Sequence, residues 1–293
     1  NSGAQASTKE VKSKASHVKA PSAAAQEVDF LPSNEYDVII IGAGISGLYQ
    51  LYRLRELGYS VQVFETGSDL GGTWYWNRYP GASCDIESYV YFPLLENTGF
   101  VPKQKYTNAP ETLEYCHVIA KKYALHDGAL LQTLVTSTDW DESQGRWIVS
   151  TDRQDTLKAR FVVHSNGPLN RPKLPAIKGI SDFKGHTFHT SRWVYAYTGG
   201  DAHGGLTGLA DKRVAVIGTG ATAVQCVPHV GASAEHLYVF QRTPSSIDVR
   251  NNKPTDPNWM QEQAPGWHNE RRRNFESIMV GAPVKEDLVS DGW

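Results

Sequence analysis

A run of β-branched residues that ends on a glycine turn occurs twice in this chain, and each occurrence leaves few folds open. At the first, Val38, Ile39, Ile40 and Ile41 follow one another without a polar break, as in a strand buried on both faces of a parallel sheet. Gly42, Gly44 and Gly47 come next, and Leu48, Leu51 and Leu54 then recur at helical spacing as far as Gly58. A second strand, Ser60 to Phe64, ends on Glu65. In such a βαβ unit Gly42 permits the tight turn, Gly44 lets backbone approach a pyrophosphate, and Gly47 lets the helix lie close on the strand. The helix N-terminus supplies amides and the positive end of its dipole. Glu65, about 20 residues beyond the turn, stands where an acid accepts hydrogen bonds from ribose hydroxyls. Strand, turn, helix, strand and acid in register point to nucleotide binding.

The second occurrence is Lys212 to Ile217, expected to be another buried strand, followed by Gly218, Gly220 and Ala223. Alanine at the third position costs one methyl group of helix-to-strand clearance, which such units tolerate. The next strand, Leu237 to Phe240, ends on Gln241, Arg242 and Thr243. No acid stands there for a free 2′-hydroxyl, but a guanidinium and a hydroxyl suit a 2′-phosphate. The first cradle is therefore expected to hold FAD and the second NADPH, in an α/β fold with two Rossmann-like dinucleotide-binding domains.

Between the cradles, Gly71 and Gly72 suit a further close backbone approach, and Trp74, Tyr75, Trp76 and Tyr79 offer flat walls to a planar ring system. Cys84, Asp85 and Glu87 follow and are expected to set carboxylates beside the same pocket. Glu111 to Tyr123 reads as an amphipathic scaffold helix. From Leu130 the period drops to two: Leu130 to Asp139, Arg146 to Ser150 and Leu157 to Val163 read as a meander with a return strand. Pro168, Pro172 and Pro175 make the next stretch an extended connector. The expected organisation is a disordered extension over 1–33, an FAD-binding part over 34–170, an NADP-binding domain over 171–250, and the start of a helical, substrate-side segment over 251–293. The run Arg271 to Arg273 reads as a solvated helix face.

A formal net charge of −2 gives no global electrostatic reason to expect nucleic acid or an anionic membrane as partner. No apolar run approaches the roughly 18 residues of a membrane span. The three cysteines, Cys84, Cys116 and Cys226, show no metal-ligand or redox-pair spacing, so reduced thiols in a cytoplasmic protein without a structural metal are expected. The oligomeric state is open.

The stretch Phe183 to Trp193 then narrows the class. Phe183, Gly185, His189 and Trp193 match at every defined position the FxGxxxHxxxW fingerprint of the Baeyer–Villiger monooxygenases, which the chain resembles. The following position, usually Pro or Asp in that family, is Val194. Gly72, Trp74, Tyr79, Pro80, Gly81 and Asp85 match a second signature, GxWxxxxYPGxxxD. The resemblance implies a two-dinucleotide flavoprotein in which NADPH reduces FAD, O2 forms a flavin C4a-peroxide, and a ketone is converted to an ester or lactone. It places FAD contacts on Gly42, Gly44, Ile45, Ser46, Gly47, Glu65, Gly72, Thr73, Trp74, Trp76, Asp85, Tyr91 and Val135. NADP contacts fall on Thr219, Gly220, Ala221, Thr222, Arg242 and Thr243, with Ser83, Cys84 and Asp85 near the nicotinamide. His189 and Trp193 are implied in domain coupling, and Asp85 in orienting an arginine that the family carries downstream of the second cradle. That region, and the segment that completes the family's FAD domain, are not in these 293 residues, so the chain is expected to be the N-terminal part of a longer enzyme. Two other readings stay open: a flavin monooxygenase acting on nitrogen or sulfur, against which Trp193 argues because Phe or Tyr is usual there, and a non-catalytic dinucleotide-binding fragment.

Overall fold

A computed structural model describes residues 33–169 and 171–290; the extension expected over 1–33 lies, apart from Ser33, outside the described residues. Strand β1 (Glu35–Ile41) sits inside a six-stranded sheet of order β3-β2-β1-β6-β5-β4. It pairs in parallel with β2 (Val61–Phe64) on one side and β6 (Thr156–His164) on the other. Ile39 and Ile40 are fully buried, as the unbroken apolar run requires. Helix α1 (Ile45–Glu56) crosses between β1 and β2 and presses Leu48 and Leu51 into a core with Val38, Ile40 and Val63.

The stretch expected as one strand from Leu130 is two: β3 (Ala129–Leu130), parallel to β2, and β4 (Val135–Asp141), antiparallel to β5 (Arg146–Thr151). The break has a backbone cause. Gln132 turns into the left-handed region at φ 52°, its N–H donates to the Gly67 carbonyl at 2.9 Å, and the Thr133 N–H donates to the Glu65 carbonyl at 2.8 Å. The loop after β2 therefore takes the hydrogen bonds that a continuing strand would have used.

Three single-turn helices follow β2: α2 (Thr73–Trp76), α3 (Ser88–Tyr91) and α4 (Leu95–Thr98). They lie ahead of α5 (Ala109–Lys122), whose first turn is capped by Asn108, the side-chain oxygen accepting from the Glu111 N–H at 3.0 Å. Helix α5 buries Tyr115 against Phe92, the rings stacked at 4.4 Å. Beyond the proline connector and a short α6 (Tyr195–Thr198), β7 (Arg213–Ile217), α7 (Ala221–Gly231) and β8 (His236–Phe240) form a second βαβ unit. The Lys212 to Ile217 run was expected to be buried. In the structure Ile217 and Phe240 are each 58% exposed, because the second sheet has two strands among the described residues and α7 covers one side of it.

In helix α8 (Trp267–Met279) Arg273 is exposed, as a solvated face requires, but Arg271 corrects that reading of the Arg271 to Arg273 run. Arg271 forks its guanidinium onto both oxygens of the fully buried Glu87, through Nε and, at 3.0 Å, through Nη2. Lys105 approaches the same carboxylate at 3.9 Å, and the guanidinium lies over Trp259 and Tyr89. Glu87 thus serves the scaffold, away from the pocket beside which it was expected. Removing the arginine would leave a buried carboxylate without its main counter-charge. Arg271→Ala is therefore expected to lower stability by about 3 kcal/mol in urea unfolding. A loss below about 1 kcal/mol, the range of exposed pairs, would contradict this account.

Candidate functional site

The carboxyl ends of β1, β2 and β6 open onto a cleft of about 450 Å³, the place where open parallel sheets bind ligands. Among its walls are Gly42, Gly44, Ile45, Ser46, Glu65, Gly72, Thr73, Trp74, Trp76, Tyr91 and Val135. Gly47 lies behind the turn, where a Cβ would stand 2.0 Å from the Gly42 carbonyl oxygen. Gly42 has φ +106° and a Cβ there would stand 2.6 Å from the Ser165 carbonyl oxygen at the end of β6. Gly72 presses on Gly44 just as closely, a Cβ on Gly72 falling 2.7 Å from the Gly44 Cα. Three lengths of backbone thus meet without side chains and leave the α1 amides bare toward the cleft.

Glu65 is buried and holds this turn together. One carboxylate oxygen accepts from the Ala43 N–H at 2.8 Å and the other from the Gly67 N–H at 2.7 Å, with the Thr66 hydroxyl at 3.2 Å. An ionised carboxylate offers about four acceptor positions, so one is left for a sugar hydroxyl. Trp74 donates its indole N–H to the Tyr91 hydroxyl at 2.9 Å, the two rings meeting edge to face. Burial pushes the Tyr91 phenol well above its ordinary pKa, and nearby Cys84 and Asp85 act in the same direction. Thr133, Ser165, Asn166 and Arg171 also line the cleft. The motif reading did not single them out, although the rule that ligands lie beyond parallel strand ends points to the residues after β6.

Asp85 is exposed and outside this cleft, although it was expected among the FAD contacts. Ser83, Cys84 and Asp85 belong to an extended segment packed instead between α7 and the residues leading into α5. The fingerprint residues separate. Phe183 is 64% exposed, its ring lying over Gly185. His189 caps the short turn Thr190–Arg192, Nδ1 accepting from the Ser191 N–H at 3.2 Å. Burial, and then the Arg192 charge, hold its imidazole below the ordinary pKa, which favours the neutral ring that capping through Nδ1 requires. Trp193 packs against two clusters at once, one holding Tyr79, Cys84 and Cys226 and the other Leu206, Leu209 and Val230. Arg192 lies 4.0 Å over the ring of the cleft residue Trp76.

The second cradle is more open. Gly218 has φ +108°, Gly220 precedes α7 in extended conformation, and a Cβ on either would meet nothing within 4 Å. Thr219, Ala221 and Thr222 complete the turn and the first residues of α7. The Thr219 hydroxyl donates to the Thr243 carbonyl at 3.3 Å, and Gln241 reaches the same hydroxyl at 3.4 Å. The end of β8, with Arg242 exposed between those two residues, is in this way tied to the glycine turn.

The family model of the NAD(P)-binding Rossmann-like domain matches residues 40–99. Neopentalenolactone D synthase of Streptomyces avermitilis is 56% identical over 89% of this chain and 44% of its own length. Baeyer-Villiger monooxygenase ATR8 of Stachybotrys chlorohalonatus is 53% identical over 89% of this chain and 42% of its own. In sequence and in fold, the chain is similar to part of these relatives, one of which is named a Baeyer-Villiger monooxygenase. Among solved structures, the polycyclic ketone monooxygenase of Thermothelomyces thermophila superposes with a TM-score of 0.82 at 42% identity, over 92% of this chain and 45% of that one. A complex of OTEMO with FAD and NADP superposes at 0.73 and 36% identity, over 83% and 45%. The chain thus spans less than half the length of these relatives.

The two glycines at the heart of the first cradle should respond differently to one added methyl group. Gly44 has φ −72°, and a Cβ there meets only the Gly72 Cα, at 3.5 Å. Gly44→Ala is expected to change stability by less than about 1 kcal/mol while weakening dinucleotide binding about tenfold or more, because the methyl stands where a pyrophosphate approaches. Gly42→Ala is expected to destabilise the fold itself, through its φ and its contact with Ser165. Thermal unfolding and FAD titration of both variants check this; equal loss of stability in the two would contradict it.

Proposed function

We propose that this chain is the cofactor-holding part of an FAD- and NADPH-dependent monooxygenase that inserts one atom of O2 beside a ketone carbonyl to give an ester or lactone. The observation that carries the reading is the pairing of two glycine cradles whose strand ends differ, Glu65 at the first and Arg242 with Thr243 at the second, in a chain with the relatives described above. We assign residues 34–170 to FAD, 171–250 to NADPH, and 251–293 to the start of a helical segment.

A reduced flavin, when bound, would supply the electrons that activate O2, and one atom of that O2 is the oxygen transferred. The protein's own part is binding, positioning and exclusion of water. The bare amides at Gly44, Ile45 and Ser46 receive phosphate oxygens at the N-terminus of α1. Glu65 accepts from a ribose hydroxyl through the position its backbone partners leave unused. Trp74, Trp76 and Tyr91 give the cleft flat, largely apolar walls that keep water from a ring lodged there. The Tyr91 phenol stays protonated, since burial raises its pKa. Arg242 and Thr243 stand at the lip of the second turn, where a 2′-phosphate meets a guanidinium and a hydroxyl. Ser83, Cys84 and Asp85 are assigned to the nicotinamide side, Asp85 carrying the negative charge that orients a cation. His189 and Trp193 join the parts rather than exchange protons: the first is a cap and the second bridges two cores. Three buried cysteines, none of them in a disulfide among the described residues, favour a cytoplasmic setting. Among the described residues no helix is long and apolar enough to cross a membrane.

Purified chain supplied with FAD is expected to turn yellow and to bleach with NADPH, and the full-length enzyme that contains it, given a ketone and labelled O2, to give an ester carrying one labelled oxygen. Arg242→Ala should lower the preference for NADPH over NADH about tenfold or more, through loss of the phosphate contact. A chain that takes up no flavin would overturn the assignment, as would sulfoxide formed from a sulfide with no ester from any ketone, or bleaching by NADH as readily as by NADPH.

A further inference from the structure

Four residues of α7 spaced along one helical face, Thr222, Gln225, Cys226 and His229, meet the segment Tyr79–Cys84 of the first half of the chain. Cys226 and His229 fill space: Cys226 is buried with Tyr79, Ala82 and Cys84, and the His229 ring stands against Gly81, where a Cβ would lie 2.6 Å from Nε2. Gln225 does something chemically different. Its Nε2 donates to the Ser83 carbonyl at 3.0 Å, while its Oε1 accepts from the Tyr79 hydroxyl at 2.8 Å and lies 3.4 Å from the Ser83 N–H.

The opposite edge of the same segment is bonded to main chain. The Cys84 N–H donates to the Thr107 carbonyl at 2.9 Å, and the Ala109 N–H donates to the Ala82 carbonyl at 2.7 Å, around a Ser83–Asn108 bridge. In extended backbone, successive residues present their polar groups to opposite edges. Ala82 and Cys84 therefore bond toward the residues before α5, and Ser83 faces α7. A primary amide is the one side chain with both a donor and an acceptor in the geometry of a peptide group, and Gln225 takes the place of a neighbouring strand for a single residue.

We infer that Gln225 is a positioning residue that couples the two cradles. It sits in the second turn of the helix that the Gly218–Gly220 turn opens, and it fixes the backbone two residues before Asp85. A dinucleotide that settles the N-terminus of α7 thereby settles Ser83 to Asp85, and the reverse holds by reciprocity of coupling. Leucine or methionine would fill the same space without either bond, so packing alone does not account for an amide with three polar contacts to residues 142 and 146 positions away.

This inference rests on the two-cofactor reading, and one set of titrations separates the two. NADP⁺ affinity is measured on the chain with and without FAD, for the parent, Gln225→Met and Gln225→Glu. In the parent, FAD is expected to tighten NADP⁺ binding about tenfold, within the usual range of site-to-site coupling. In Gln225→Met that ratio should fall to about one while FAD alone binds within about twofold of the parent. Gln225→Glu keeps the acceptor for Tyr79 and the Ser83 N–H but loses the donor, and should give an intermediate ratio; it decides the matter if the methionine variant does not fold. An unaltered ratio in a folded variant, or a parent that binds both cofactors without mutual effect, overturns the coupling role. A parent that binds neither cofactor overturns the functional assignment instead.

Discussion

Close contact between backbones, with no side chain between them, is the constraint on which this architecture turns. At Gly42, Gly47 and Gly72 an added Cβ would fall between 2.0 and 2.7 Å from main-chain atoms of another segment or turn, so the end of β6, the start of α1 and the loop before α2 converge in a space only glycine permits. Once they converge, the Glu65 carboxylate takes up the Ala43 and Gly67 amides, and the exposed face of the turn is lined with unobstructed N–H groups. The binding chemistry follows from that steric arrangement: anions gather at bare amides on a helix N-terminus because nothing else covers them.

The second cradle repeats the sequence logic without the same steric closure. Gly218 needs its positive φ, yet no neighbouring backbone crowds it or Gly220. What fixes this βαβ unit is its attachment to the first half of the chain. Trp193 is packed into two cores, the α7 face rests on Tyr79–Cys84, and the Tyr195 hydroxyl donates to the Arg78 carbonyl at 2.6 Å. Trp193 of one signature stretch and Tyr79 to Cys84 of the other are thus among the residues that join the halves. Their spacing is constrained by packing between units as much as by contact with a ligand.

Much of this was legible in the sequence because its causes are local. An unbroken apolar run, a glycine turn and helical leucine spacing are each set within a few residues, so β1, α1, β2, β7 and α7 could be placed from pattern alone. The break between β3 and β4 could not, since it depends on hydrogen bonds from Gln132 and Thr133 to the loop after β2. Arg271 was misread for the same reason: its partner Glu87 is 184 positions away and nothing near either residue announces the pair. Exposure of Ile217 and Phe240 reflects how many strands flank them, a property that a run of apolar residues does not carry. The glycine turn, Glu65 and the aromatic wall of the first cleft were named from local pattern, whereas Ser165 and Asn166 entered through the parallel pairing of β6 with β1, a fact of topology.

The central claim, that steric closure by glycine builds an anion-binding turn answering to a flavin dinucleotide, is tested most directly by a crystal structure of the chain grown with FAD. The account requires the pyrophosphate to lie over Gly44 within hydrogen-bond reach of the Ile45 and Ser46 amides, with the adenosine ribose on Glu65. Density for FAD at the Gly218 turn instead, or a ribose that does not touch Glu65, would contradict it.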